Sequence, residues 1–280
     1  MLSLAAEDRN RIDAGWETWL AENLARQCDV YELATILLGH GLPLEWIRLQ
    51  MGERYPMDMP NHRSLSEVRI TRVTKDPRLK QIPTRKLQIY RLKDFLSVHE
   101  CKALVEIIEN TLRPSAITLE APGSRYRTSC TSDLSLVRNP LVETIDHRIA
   151  ETLGINTACS EGIQAQRYDR GQEFKAHTDY FEPGTDEYRG HAAQQGNRTW
   201  TFMVYLNDDL QGGSTKFHAI DREFRPKAGS ALVWNNLFTS GAPNPNTLHS
   251  GLPVSEGRKV IITKWFRERA SNVTASATRL

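Results

Sequence analysis

The second half of the chain is a series of short apolar or alternating stretches. From residue 163 onward they are separated by turns that carry glycine or proline, such as RGQE, QGG and SGAPNPN. The strand candidates are IQAQRYD, TWTFMVYLND, STKFHAI, SALVWNN and RKVIITKWF. Many short strands in succession favour an antiparallel barrel or sandwich over a parallel sheet with crossover helices.

Helical patterns are collected in the first part of the chain. Apolar residues at three- and four-residue intervals in IDAGWETWLAENLARQ predict an amphipathic helix, and two more helices are predicted before residue 54. Ser97 followed by Glu100 predicts a capping box at the start of a later helix. We therefore expect a mainly β (α+β) fold. Its predicted parts are a helical N-terminal extension at 1–54, a proline-containing basic linker at 55–84, the main β domain at 85–270 and a tail at 271–280.

The composition is that of an ordinary globular chain of 280 residues, with 39% hydrophobic and 25% charged residues. A net charge of +2 gives no argument for nucleic acid, although eight Lys and Arg residues fall between positions 72 and 93. No apolar run approaches the roughly 20 residues of a membrane span. The N-terminus lacks a signal-peptide pattern, so we expect a cytoplasmic protein without a membrane partner. The four scattered cysteines contain no C-x-x-C pair, which predicts reduced thiols.

One polar pattern in the β region is typical of a metal-binding site. In KAHTDYF, His177 and Asp179 are two residues apart, and side chains on a strand repeat every two residues, so both point to one side. His249, in NTLHSGLPV, is the candidate third ligand from a distant strand. Two histidines and one carboxylate form the facial triad of iron(II) oxygenases, which leaves coordination positions open for a co-substrate and oxygen.

Two further residues suit such a metal site. Lys259 enters the apolar strand run VIIT, where an ammonium group is costly to bury without a partner. Tyr168 lies nine residues before His177, at the end of a predicted neighbouring strand. A cation and a phenol together suit a small dicarboxylate such as 2-oxoglutarate. The alternative interpretation makes Lys259 a solvated residue at a strand end and Tyr168 an ordinary core aromatic.

The segment from about Leu87 to Arg267 resembles the catalytic domain of the prolyl 4-hydroxylase family of 2-oxoglutarate- and iron(II)-dependent dioxygenases. The matching stretches, in family order, are LKDFLSVHEC, RYRTSC, QRYDRGQEFKAHTDYF, RTWTFMVYLNDDLQGGSTKF, PKAGSALVWNN, TLHSGLPVSEGRK and TKWF. The resemblance implies a double-stranded β-helix, or jelly-roll, core with supporting helices. It also makes residues 85–270 the dioxygenase domain.

The resemblance implies cofactors and residue roles as well. Fe(II) is the expected metal, 2-oxoglutarate and O2 are the expected co-substrates, and L-ascorbate would keep the iron ferrous when turnover is uncoupled. The implied roles are iron ligation by His177, Asp179 and His249, 2-oxoglutarate binding by Lys259, Tyr168 and Thr201, and positions near the substrate for Arg127 and Tyr180. Because Asp179 is present, hydroxylation is favoured over halogenation, whose enzymes lack that carboxylate.

The expected reaction is hydroxylation of an unactivated C–H bond in a prolyl or other amino-acid residue, with release of succinate and CO2. A free amino acid or a natural-product intermediate is the alternative substrate. Two alternatives of other kinds are a nucleic-acid demethylase, which we do not favour, and a non-catalytic binding module on the same barrel. The segment 181–198 is predicted to be a mobile flap that carries specificity. The N-terminal helices are candidates for a homodimer contact.

Overall fold

The structure is a computed structural model that describes residues 14–39, 42–56, 78–114, 129–238 and 241–270. The helices in this part of the chain are α1 Ala14–Ala25, α2 Val30–Gly39, α3 Leu44–Met51, α4 Val98–Glu109, α5 Pro140–Leu153 and α6 Asp186–Gln195. The strands are β1 Leu79–Gln81, β2 Ile89–Leu92, β3 Arg113–Pro114, β4 Cys130–Asp133, β5 Gln164–Tyr168, β6 Phe174–His177, β7 Arg198–Tyr205, β8 Gln211–Gly212, β9 Thr215–Phe217, β10 Arg222–Phe224, β11 Ala231–Asn235, β12 His249–Gly251, β13 Val254–Glu256 and β14 Lys259–Arg267.

Two antiparallel sheets form the body of the fold. The major sheet has eight strands in the order β1-β2-β11-β7-β14-β5-β4-β3, and the minor sheet has four in the order β10-β9-β12-β6. Strands β13 and β8 form a short separate pair. The antiparallel sheets and the helices outside them agree with the predicted mainly β (α+β) class.

The central strands β7 and β14 are buried on both sides of the major sheet. On one side, Phe202 and Ile262 belong to a core shared with α4 and α5. On the other side, Met203 and Ile261 belong to a core shared with Phe217 of the minor sheet. Alternate side chains of one strand therefore enter two different cores, because side chains of a strand alternate between its faces. We call these two sides the helix side and the cavity side.

The helices that cover the major sheet have well-defined ends. At α4, the Ser97 hydroxyl accepts from the Glu100 backbone N–H at 3.2 Å, and the Glu100 carboxylate accepts from the Ser97 N–H at 2.8 Å, which confirms the predicted capping box. At α5, the Asn139 side chain caps the start, and Gly154 ends the helix at φ 62, a left-handed conformation that glycine adopts without strain. These caps satisfy backbone groups that the helices leave unpaired at their ends.

Helices α1–α3 form a smaller core of their own. Leu20, Leu37 and Ile47 are buried there, and the same core includes Ala242 and Phe238 from the segment after β11. This contact joins the helices to the β region. The boundaries predicted at 54, 84 and 270 stay predictions, and residues 57–77 and 271–280 lie outside the described residues. None of the described helices combines the length and the apolar composition needed to cross a membrane.

Candidate metal and co-substrate site

Strands β6 and β12 are neighbours in the minor sheet and bring two histidines together. His177 and His249 are direct partners in the register, with ring centroids 4.3 Å apart. Asp179 follows β6 by two residues. A ligand atom from each of the three lies within 4.8 Å of the other two. Within the described ranges of the chain, no other group of three or more His, Cys, Asp or Glu side chains is close enough to hold a metal ion.

Each histidine ring is oriented by a backbone carbonyl two residues earlier. His177 Nδ1 lies 2.7 Å from the Lys175 carbonyl oxygen, and His249 Nδ1 lies 2.9 Å from the Thr247 carbonyl oxygen. A carbonyl oxygen can only accept, so Nδ1 of each neutral ring carries the proton. Nε2 therefore keeps its lone pair for a metal ion, which is how ligating histidines are usually held.

Asp179 is fixed by a hydroxyl group behind it. Thr201 Oγ1 donates to Asp179 Oδ2 at 2.7 Å, and Asn236 Nδ2 in turn donates to Thr201 Oγ1 at 2.9 Å. Asp179 Oδ1 lies 3.9 Å from His177 Nε2. Burial acts to raise the pKa of Asp179, but His249, His177, Arg198 and the Thr201 hydrogen bond together outweigh it, and the pKa is lowered. The carboxylate is therefore ionised and directs one oxygen toward the histidines.

The three side chains fit the metal that the sequence predicts. Two imidazole nitrogens and one carboxylate oxygen are the donor set of non-haem iron(II) oxygenase sites. All three residues line one cavity of about 610 Å³. A metal ion held by them would face the open volume of this cavity, where further ligands have room to bind.

Lys259 lines the same cavity. Its side chain is 2% exposed, and its ammonium donates to the Gly213 carbonyl at 2.9 Å and lies 4.7 Å from the centroid of the Tyr168 ring. Burial lowers the pKa of Lys259 to about 8, and no carboxylate in the described part of the chain offsets that burial. A Cβ at Gly251 would lie 3.3 Å from Lys259 Nζ, so glycine leaves room beside the ammonium. The cavity thus contains a buried cation suited to a carboxylate ligand.

Comparisons with known proteins agree with this geometry. A family model described as the 2OG-Fe(II) oxygenase superfamily matches residues 163–267. Prolyl 4-hydroxylase subunit alpha-1 of Bos taurus is 32% identical over 200 residues, which are 69% of this chain and 37% of that protein. Probable prolyl 4-hydroxylase 3 of Arabidopsis thaliana is 31% identical over 196 residues, which are 62% of this chain and 67% of that protein. This chain belongs to the prolyl 4-hydroxylase-like 2OG-Fe(II) oxygenases.

A solved structure supports the fold of this oxygenase. The viral collagen prolyl hydroxylase of Paramecium Bursaria Chlorella virus-1, in its 2OG complex, matches with a TM-score of 0.51 and 25% identity. The match covers 64% of this chain and 95% of the viral chain. It supports the predicted jelly-roll core of the 2OG-Fe(II) oxygenases. The bovine relative is much longer than this chain, which spans 37% of its length.

The remaining predicted residues of the oxygenase site have different positions. Tyr180 lines the cavity, and burial raises its pKa to about 12. Thr201 is fully buried and contacts Asp179, so it lies behind the carboxylate. Its predicted hydrogen bond to 2-oxoglutarate stays a prediction. Arg127 lies outside the described residues.

The cavity also contains a charged group that sequence reasoning missed. The Glu161 carboxylate accepts two hydrogen bonds of 2.7 Å from Arg198 and one of 2.8 Å from Arg267. Burial acts to raise the pKa of Glu161, but the two guanidinium groups lower it to about 2. Arg198 and Arg267 are register partners at the ends of β7 and β14. Only the pairing of these two strands could have revealed the group.

The predicted flap at 181–198 contains helix α6. Thr185 caps its first turn, with its hydroxyl accepting from the Tyr188 N–H at 3.1 Å. At the other end, Arg267 donates to the Gly196 carbonyl at 3.0 Å and to the His191 carbonyl. The segment is therefore a helix attached to the strand that also carries Lys259. Its predicted mobility and its role in specificity stay predictions.

Proposed function

We propose that this chain is an Fe(II)- and 2-oxoglutarate-dependent dioxygenase that hydroxylates an unactivated C–H bond of a prolyl or other amino-acid residue. In the balanced reaction, 2-oxoglutarate, O2 and the substrate R–H give succinate, CO2 and R–OH. The observation that carries the proposal is the presence, in one cavity, of three converging candidate metal ligands and a buried lysine that has no carboxylate partner among the described residues. The metal ligands alone would fit many sites, and the added cation selects a carboxylate co-substrate.

Each group has a defined task in this proposal. His177, Asp179 and His249 would hold Fe(II), which when bound would supply the redox chemistry. Lys259 and Tyr168 would bind the distal carboxylate of 2-oxoglutarate. Because both are buried, water does not screen the ion pair, which strengthens it and gives the co-substrate one orientation. L-Ascorbate would return oxidised iron to Fe(II).

The substrate is proposed from the names of the relatives. The bovine and Arabidopsis relatives are named prolyl 4-hydroxylases, and the viral protein is named a collagen prolyl hydroxylase. A peptidyl proline is therefore the first candidate, with Tyr180 and Arg127 as proposed substrate contacts. A free amino acid or a natural-product intermediate would fit the same chemistry.

Succinate formation tests the proposal. Purified protein is incubated with Fe(II), 2-oxoglutarate and ascorbate, with and without a proline-rich peptide, and Asp179→Ala serves as the control. Succinate that depends on iron and rises with the peptide supports the oxygenase and a prolyl substrate. Slow succinate formation that the peptide does not change supports the oxygenase and makes free amino acids the next substrates to test. Absence of succinate from iron-loaded protein overturns the proposal and favours a binding module.

A further inference from the structure

Strand β5 presents a row of polar side chains to the cavity. Gln164, Gln166 and Tyr168 are two residues apart from one another, and all three line the cavity. In the register with β14, Gln166 pairs with Ile261 and Tyr168 pairs with Lys259. Sequence reasoning singled out Tyr168 and missed the two glutamines. The signal was present in QAQRY, where polar residues at every second position mark one face of a strand.

Gln166 is buried, and its carboxamide is only partly satisfied. The residue is 4% exposed; Tyr168 Oη donates to its Oε1 at 2.7 Å, and its Nε2 donates to Gln164 Oε1 at 3.2 Å. A carboxamide has two N–H donors. The protein groups in the described ranges take one of them, so one N–H of Gln166 stays available on the cavity wall. A buried donor without an acceptor is costly, so a ligand that accepts from it gains affinity.

The position of Gln166 matches the path of the co-substrate. Lys259, at the start of β14, lies beside Gly251 of the minor sheet. Six residues further along β14, Trp265 pairs with Thr201, whose hydroxyl contacts the metal ligand Asp179. A molecule that reaches from the Lys259 ammonium to a metal ion beside Asp179 would therefore lie along β14, beginning at the first residue of that strand. The first pair beyond Lys259 and Tyr168 on the cavity side is Ile261 with Gln166.

We propose that Gln166 is a binding residue for the distal carboxylate of the dicarboxylate co-substrate, an inference that rests on the proposed function. Its Oε1 holds the Tyr168 phenol in place beside Lys259. Its second N–H donates to the distal carboxylate that Lys259 binds. Gln166 thus adds a neutral hydrogen-bond donor beside the charged donor, the Lys259 ammonium. The two donors together fix the position of the carboxylate along β14.

The test measures co-substrate binding without turnover. Protein loaded with Mn(II) in place of iron is titrated calorimetrically with 2-oxoglutarate and, separately, with 2-oxopentanoate. The second ligand has the same five-carbon chain and keto acid but ends in a methyl group. The variants are Gln166→Leu and the near-isosteric Gln166→Glu. Gln172→Leu is the matched control, because Gln172 accepts from the Asp169 backbone N–H at 2.8 Å and is absent from the cavity wall.

Gln166→Leu is expected to raise the Kd for 2-oxoglutarate about tenfold, the effect of losing a hydrogen bond to a charged group. It is expected to leave the Kd for 2-oxopentanoate within about twofold of wild type, since that ligand offers no distal carboxylate. Gln166→Glu should weaken 2-oxoglutarate binding about 100-fold, because it places a like charge beside the carboxylate. Gln172→Leu should change neither affinity.

The outcomes separate this inference from the proposed function. Equal weakening of both ligands by Gln166→Leu would assign the residue a purely structural role and overturn the inference. Unchanged 2-oxoglutarate binding in that variant would also overturn it. If Gln166→Leu does not fold, the near-isosteric Gln166→Glu provides the test. The measured quantity is again the change in Kd for 2-oxoglutarate compared with the change in Kd for 2-oxopentanoate. Wild-type protein that binds no 2-oxoglutarate would overturn the proposed function itself.

Discussion

The two sides of the major sheet each bury one lysine of strand β14, and the two lysines have different hydrogen-bond partners. On the helix side, Lys264 donates to Asp146 at 2.6 Å and to the Glu161 carbonyl at 2.9 Å. On the cavity side, Lys259 is equally buried at 2% exposure, and within the described ranges its ammonium donates to a neutral carbonyl, that of Gly213. Folding alone supplies a counter-ion for the first lysine. The second has no carboxylate partner among the described residues, so a bound carboxylate ligand can supply one.

This difference separates residues that stabilise the fold from residues that bind ligands. Removing one partner of a buried ion pair leaves an uncompensated charge and lowers stability, and a buried charge that never had a partner is itself costly. The helix side should therefore respond to substitution mainly in the free energy of unfolding. The cavity side should respond mainly in ligand binding and activity.

The largest expected effect is on the cavity side, at the metal. Asp179→Ala removes the only carboxylate of the proposed metal site and should lower succinate formation at least about 1,000-fold. Circular dichroism should show the fold retained, and metal analysis should show loss of bound iron. Asp186→Ala, whose carboxylate is exposed in the first turn of α6, is the control and should keep its activity. Activity retained by Asp179→Ala would remove this residue from the metal site.

Lys259→Met should weaken 2-oxoglutarate binding about 100-fold, because a buried carboxylate loses its cation. The same change should raise the free energy of unfolding of the ligand-free protein by up to about 3 kcal/mol at neutral pH, the cost of the pKa lowered from 10.5 to about 8. Urea unfolding and calorimetric titration measure the two effects. Loss of stability in this variant would show that the ammonium already has a counter-ion.

Lys264→Met provides the matched comparison on the helix side of the same strand. It leaves Asp146, whose side chain is 26% exposed, without its cation and should lower the free energy of unfolding by about 2 kcal/mol. The affinity for 2-oxoglutarate should stay unchanged. Opposite signs of the stability change in the Lys259 and Lys264 variants are the expected result. The same sign in both would break the distinction between the two sides.

The smallest expected effect is on pH dependence. Only the ammonium form of Lys259 pairs with a carboxylate, and burial lowers its pKa in the ligand-free protein to about 8. The Kd for 2-oxoglutarate should therefore rise about tenfold between pH 7 and pH 9. Ligand-free stability should rise with pH between about 8 and 10.5, where the unfolded chain binds more protons than the folded one. In Lys259→Arg, which stays charged, the dependence of Kd on pH should disappear.

The sequence contained enough information to predict that His177, Asp179 and His249 come together and that Lys259 faces the same cavity. His177 and Asp179 lie close together in the chain, and Lys259 is conspicuous as a charge in an apolar strand. The group of Glu161, Arg198 and Arg267 could not be predicted in this way, because its members come from three separate segments that meet only through strand register. Each of these residues, taken alone, has the pattern of a surface charge.

Thr201 and the flap show a second limit of sequence reasoning. A threonine on a buried strand can direct its hydroxyl to a ligand or to a neighbouring side chain, and the pattern of the strand does not distinguish the two. Here the hydroxyl contacts Asp179. The flap sequence DEYRGHAAQQ is polar, with a glycine in its middle, which is typical of a loop. Its helix depends on the Thr185 cap and on carbonyl contacts from Arg267, which lies far away in the chain.

The main-chain contacts of the two histidines have a consequence for how freely this protein can vary. The ring of His177 is oriented by the carbonyl oxygen of Lys175, and every amino acid supplies that atom. The Lys175 side chain is exposed and absent from the cavity wall, so its identity should not affect the orientation of the ring. The residue at position 175 can therefore be exchanged during evolution, or in the laboratory, while the carbonyl contact that orients the His177 ring is retained.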